Sequence, residues 1–138
     1  MATNHVIGII GAGRMGSCIV RRLLAASNFK KNEIFFTTRH DETAGDAARE
    51  LGVQSYKNNQ ELVAKCDVIV MAVKPQNMAE VLGEITDSLT EEKTLISIAA
   101  SISTSQIESK LSKKIAVIRA MPNTPALVQS GMTGLYAM

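Results

Sequence analysis

Residues 6–16, Val-Ile-Gly-Ile-Ile-Gly-Ala-Gly-Arg-Met-Gly, constrain the fold more than any other stretch of the chain. A short β-branched run ends in glycines at positions 11, 13 and 16, and Met15, Ile19, Leu23 and Leu24 then recur at helical spacing. The order is strand, tight turn, helix. In a G-x-G-x-x-G turn of this kind the first glycine makes the bend and the second lets the backbone approach a pyrophosphate. The third lets the helix pack closely on the strand. The helix N-terminus offers unpaired N–H groups and a partial positive charge to the phosphates.

The alternation continues. A strand is expected at 33–38, and a helix at about 42–51 with Asp41 as its N-cap and Gly52 as its stop. A short strand near 53–55 and a helix at 59–65 follow. Residues 67–73, Asp-Val-Ile-Val-Met-Ala-Val, are almost continuously apolar, as in a central strand buried on both faces of a parallel sheet. After Lys74-Pro75, a helix carries Met78, Val81, Leu82, Ile85 and Leu89 on one face. Then come a strand at 94–98, a helix at 104–111, a strand at 115–119 and a strand-like stretch at 131–138. Strands alternating with helices of about ten residues imply an α/β doubly wound parallel sheet of the Rossmann type. At 138 residues the chain is long enough for a single domain, 1–138.

Composition narrows the function. Hydrophobic residues make up 46% and charged residues 20%, ordinary globular usage. The net charge of +2 is spread along the chain, and with no Trp, two Tyr and three Phe there are no stacking platforms, so nucleic acid is not an expected partner. Cys18 and Cys66 lie far apart, without C-x-x-C spacing or histidines to complete a metal site; no metal is expected. Both read as buried thiols in a reducing cytoplasm. The start, Met-Ala-Thr-Asn-His, lacks a basic leader, and the apolar stretches at 6–10 and 68–73 are too short to span a bilayer. Neither export nor a membrane is expected.

The tip of the second strand selects the nucleotide. NAD sites place an Asp or Glu there for the ribose hydroxyls. Here the tip reads Thr37-Thr38-Arg39-His40, with no acid before Asp41. An arginine flanked by hydroxyls suits the 2′-phosphate of NADP, because its planar fork donates two bonds to phosphate oxygens. His40 and His5 read as structural.

Three further segments, Ala-Val-Lys-Pro-Gln at 72–76, Ser-Ile-Ala-Ala-Ser at 97–101 and Arg-Ala-Met-Pro-Asn-Thr-Pro-Ala-Leu-Val-Gln-Ser-Gly-Met-Thr at 119–133, carry a resemblance. In this order after the glycine turn, the chain resembles the pyrroline-5-carboxylate reductases, the last enzymes of proline biosynthesis. The resemblance implies hydride transfer from NADPH to a cyclic imine. It implies that Gly11, Ala12, Gly13, Arg14, Met15, Thr38 and Arg39 hold the cofactor phosphates and adenosine ribose, with Asn59 also on the adenosine side. Ala72, Val73, Lys74, Pro75 and Ala100 would line the nicotinamide half. Pro122 and Pro125 would fix a wall facing the substrate, with Asn123 and Thr124 as its polar groups; no strong general acid stands out. Family members continue into a helical domain that dimerises and supplies most of the substrate pocket. Nothing here corresponds to it, so this chain is expected to bind cofactor without completing the site. A noncatalytic NADP-binding or regulatory module is the alternative, or a related reductase of another imine or a deazaflavin. One departure stands out: Ser101 occupies a position where the family has glycine. If that backbone needs a positive φ, serine tolerates it poorly.

Overall fold

The computed structural model describes residues 5–27, 29–122 and 133–137. A seven-stranded sheet runs through it in the order β3-β2-β1-β4-β5-β6-β7. Strand β1 (Ile7–Ile10) lies between β2 (Ile34–Thr37) and β4 (Val68–Met71), parallel to both. Strand β3 (Gln54–Ser55) extends the sheet beyond β2. On the other side β5 (Thr94–Ser97) and β6 (Ala116–Pro122) extend it in parallel from β4. The last strand, β7 (Thr133–Ala137), pairs with β6 antiparallel, a departure from an all-parallel sheet.

The continuous apolar runs of β1, β2 and β4 are needed because both faces are covered. Ile7, Ile9, Ile34, Phe36 and Val70 face one core, shared with Val20 of α1 (Arg14–Ala25) and Leu51 of α2 (Asp41–Leu51). Alternate residues Ile10, Phe35, Ile69 and Met71 face the other core, with Leu62 and Val63 of α3 (Asn59–Lys65). Met78, Val81, Leu82 and Ile85 of α4 (Met78–Ile85) and Ile107 of α5 (Thr104–Glu108) complete that core. Each fully buried aliphatic or aromatic side chain contributes about 1.5–3 kcal/mol of transfer free energy, so two such layers hold the sheet rigidly. Cys18 and Cys66 are both buried thiols.

Several boundaries differ from the sequence reading. His40, not Asp41, occupies the N-cap position of α2; its side chain makes no cap bond, and its carbonyl instead accepts from the Thr43 N–H and hydroxyl. Gly52 ends that helix as expected, at φ +70 with its N–H donating to the Ala48 carbonyl. Helix α5 starts with a reciprocal cap between Ser103 and Gln106. It stops at Glu108 rather than 111, because Lys110 and Leu111 bond three residues back and tighten the turn into buried Ile115. Strand β6 runs three residues past its expected end at 119.

Candidate functional site

The chain passes from β1 to β2 and β3 on one side, then returns to β4 on the other, so the strand order reverses beside β1. A ligand crevice in an open α/β sheet forms at such a point, outside the carboxyl ends of the strands. Here a crevice of about 900 Å³ opens there.

Its floor is the glycine turn. Gly11 adopts φ +93, and a side chain would place Cβ 2.8 Å from the Ala72 carbonyl oxygen. At Gly16 a Cβ would fall 2.3 Å from the Gly11 carbonyl oxygen, so α1 rests directly on the turn. The N–H groups of Gly11 and Ala12 both donate to the Thr37 carbonyl, at 3.1 and 2.9 Å, tying the turn to the end of β2. Gly13 is different. Its φ of −79 suits any residue, and a Cβ there would meet nothing within 4 Å. It lines the crevice and caps α1 with no side chain, in a first turn that carries no acid. Helix geometry leaves the N–H groups of that turn without intrahelical partners, beside the positive end of the dipole.

One wall comes from the tip of β2, where Thr38, Arg39 and His40 line the crevice together with Thr43 of α2. The Thr38 hydroxyl donates to the His40 carbonyl at 2.9 Å and shapes this tip. Lys57, Asn58 and Asn59 bring the N-terminus of α3 into the lining; Asn58 caps that helix by accepting from the Glu61 N–H at 2.8 Å. Ala72, Val73 and Lys74 enter after β4. The crevice-facing stripe of α4 and its approach supplies Asn77, Glu80, Val81 and Glu84. Exposed Arg39, Lys57 and Lys74 line this crevice together with the carboxylates of Glu80 and Glu84.

Of the residues singled out in the sequence, Gly11, Ala12, Gly13, Thr38, Arg39, Asn59, Ala72, Val73 and Lys74 therefore share one crevice. Arg14 and Met15 open α1 just behind its floor, and neither is among the lining residues. Pro75 starts a 3-10 turn, Pro75–Asn77, directly after Lys74, also outside the lining. Ala100 lies past the end of β5 and is not among the lining residues, and Asn123 and Thr124 fall outside the described residues. Ser101 adopts φ +62, the left-handed backbone in which serine is disfavoured.

Sequence reasoning missed several lining groups. His40, read as structural, lines the crevice beside Arg39. Glu80 and Glu84 went unnoticed, although their spacing with Asn77 marks one helical stripe. Thr37 is buried, and its hydroxyl donates to the Asn59 side-chain carbonyl at 2.7 Å, while the Asn59 amide donates to Glu84 at 2.7 Å. Among the described residues no group of three or more His, Cys, Asp and Glu could hold a metal, and no helix is long and apolar enough to cross a membrane.

The model of the family described as NADP oxidoreductase coenzyme F420-dependent matches residues 6–101, from the start of β1 to the loop after β5. The chain belongs to that family. It is an oxidoreductase family, and the glycine turn and the crevice both fall within the matched residues. The chain is also similar to a pyrroline-5-carboxylate reductase of Escherichia coli, 38% identical over 129 residues, covering 94% of this chain and 48% of the relative. A solved pyrroline-5-carboxylate reductase from Coxiella burnetii superposes with a TM-score of 0.92 at 36% identity, over 99% of this chain and 50% of that one. The Plasmodium falciparum pyrroline carboxylate reductase, solved with NADP bound, gives 0.85 at 30% identity, over 98% and 48%. The chain spans about half the length of the relatives it matches.

Proposed function

We propose that the crevice binds NADPH and that the chain supplies the cofactor half of a reductase acting on the C=N bond of 1-pyrroline-5-carboxylate. The observation that carries this reading is the tip of β2, where Thr38 and Arg39 line the crevice and no acid of that strand does. The fit of a dinucleotide is supported by Gly13, whose missing side chain leaves open space over the N-terminus of α1.

On this reading the N–H groups from Gly13 to Met15 hold the pyrophosphate, and the Arg39 guanidinium and Thr38 hydroxyl hold the 2′-phosphate. Asn59 serves the adenosine side, and Ala72, Val73, Lys74 and Pro75 border the nicotinamide half. Bound there, NADPH would supply a hydride to the carbon of the protonated imine, with the C=N electron pair passing to the nitrogen, which keeps its proton as the secondary amine. Residues of this chain position and shield; Asn123 and Thr124 offer polar groups to the substrate. The substrate carboxylate pocket and the contacts of a homo-oligomer lie in a helical domain beyond residues 1–138, in keeping with a chain half as long as its relatives. Two buried thiols suit a reducing cytoplasm.

Calorimetric titration with NADPH and NADH tests the cofactor assignment. A charged hydrogen bond of about 1.5–3 kcal/mol gives NADPH a roughly ten- to hundredfold advantage that Arg39→Ala removes. Equal affinities in the unsubstituted chain would take Arg39 out of the site. Imine-dependent NADPH oxidation by this chain, and by one extended through a helical domain, tests the division of labour. Turnover only in the longer chain is expected; none in either would favour a noncatalytic module.

A further inference from the structure

We propose that Glu84 is a positioning residue that fixes the Asn59 amide as a hydrogen-bond donor to the cofactor, an inference that rests on the cofactor reading above. The hydrogen bonds run in one direction. A carboxylate accepts and cannot donate, so Glu84 requires the Nδ2 end of Asn59 to face it, and that bond measures 2.7 Å. The Oδ1 end must then face Thr37, whose hydroxyl has to donate, also at 2.7 Å. A neutral partner in place of Glu84 would accept either amide orientation.

The consequence is a defined donor. Oδ1 takes one bond from the Thr37 hydroxyl and one Nδ2 hydrogen goes to Glu84, so the donor Asn59 retains for a ligand is its second N–H, beside one remaining lone pair on Oδ1. Asn59 is half-buried in the crevice lining, which matches that N–H to an acceptor such as a ribose oxygen or a phosphate. The chain of bonds also reaches the floor, because the Thr37 carbonyl is the group that takes the Gly11 and Ala12 N–H bonds. Four segments meet here: the glycine turn, the end of β2, the start of α3 and the face of α4.

A plain electrostatic role for Glu84 makes the opposite prediction. A carboxylate lining a crevice for a polyanion repels it, so removing the charge alone would tighten binding.

The experiment measures NADPH Kd at fixed salt for the unsubstituted chain, Glu84→Ala, Glu84→Gln, Asn59→Ala and the Glu84→Ala, Asn59→Ala pair, with thermal unfolding as a check on folding. Glu84→Ala should weaken binding about five- to tenfold, the worth of one hydrogen bond. Glu84→Gln loses the one-way acceptance of a carboxylate but can still present an acceptor oxygen, so it should weaken binding less than Glu84→Ala does. In the Asn59→Ala background Glu84→Ala should cost nothing more, the non-additivity expected of groups acting as a unit. Additive losses, or equal tightening by Ala and Gln, would overturn the proposal while leaving the cofactor reading intact. An unchanged Kd in Glu84→Ala would do the same. Failure of the unsubstituted chain to bind either dinucleotide would overturn both.

Discussion

Replacing Ser101 with glycine should stabilise this chain, and the size of the gain follows from its backbone. Ser101 sits at φ +62, exposed, in the turn after β5. A residue with a Cβ in the left-handed region carries about 1–2 kcal/mol of steric cost that glycine avoids. Against this, glycine gives the unfolded chain more freedom to lose, worth about 0.4–1 kcal/mol. The balance is a gain of about 0.5–1 kcal/mol, or roughly 2–3 °C in the unfolding midpoint for a domain of this size. Thermal and denaturant unfolding followed by circular dichroism read it directly. Ser101→Ala keeps the Cβ and should gain nothing, which separates backbone strain from any effect of the hydroxyl. Ser27, at φ +57 after α1, is an independent second site, and Ser27→Gly should add its own shift. A midpoint lowered by Ser101→Gly, or raised equally by alanine, would refute the strain argument.

Two glycines of the turn should respond oppositely. Gly13→Val should abolish NADPH binding while costing the fold no more than about 1 kcal/mol of helix capping; retained affinity would make the turn only structural. Gly16→Ala drives a methyl onto the Gly11 carbonyl and should destabilise the chain by about 1–3 kcal/mol in urea unfolding. Cys66 predicts an alkaline limit. Burial, opposed by nearby Lys93 and assisted by Asp67, raises its thiol from 9.0 to about 12. In the unfolded chain the thiol loses its proton near the ordinary value, so the folded state holds more protons between those limits and stability falls as pH rises through them. The fall in unfolding midpoint from pH about 9 upward should therefore be steeper in the unsubstituted chain than in Cys66→Ala, and a parallel slope would count against burial of the thiol.

The fold was legible because burial on both sheet faces forces a distinctive sequence. Residues 67–73 could be read as a central strand from their unbroken apolarity, and β4 does lie fourth of seven. The direction of the last strand was not legible. Thr133–Ala137 has a β pattern, but all five residues are exposed, so its composition carries no information on whether it joins β6 parallel or antiparallel. Cap positions were misread by one residue at Asp41, because an aspartate before a helix and one inside its first turn satisfy the same rules.

The site divides along the same physical line. Residues that shape backbone, such as Gly11 and Gly16, announce themselves in sequence because few other side chains fit where the Ala72 and Gly11 carbonyls crowd them. Ser101 is the exception that shows the rule: the position demands a positive φ, and the chain tolerates serine there at a cost the turn absorbs. Side chains that meet across the fold give no such signal. Thr37 reads only as part of the second strand's tip and Glu84 goes unnoticed; the two are separated by 47 positions (84 − 37). Only the return of the chain to β4 beside β1 brings α4 over the end of β2, where Asn59 bridges them. The same reversal of strand order that opens the crevice thus also delivers the carboxylate that orders its wall, and a reading along the sequence could find the first but not the second.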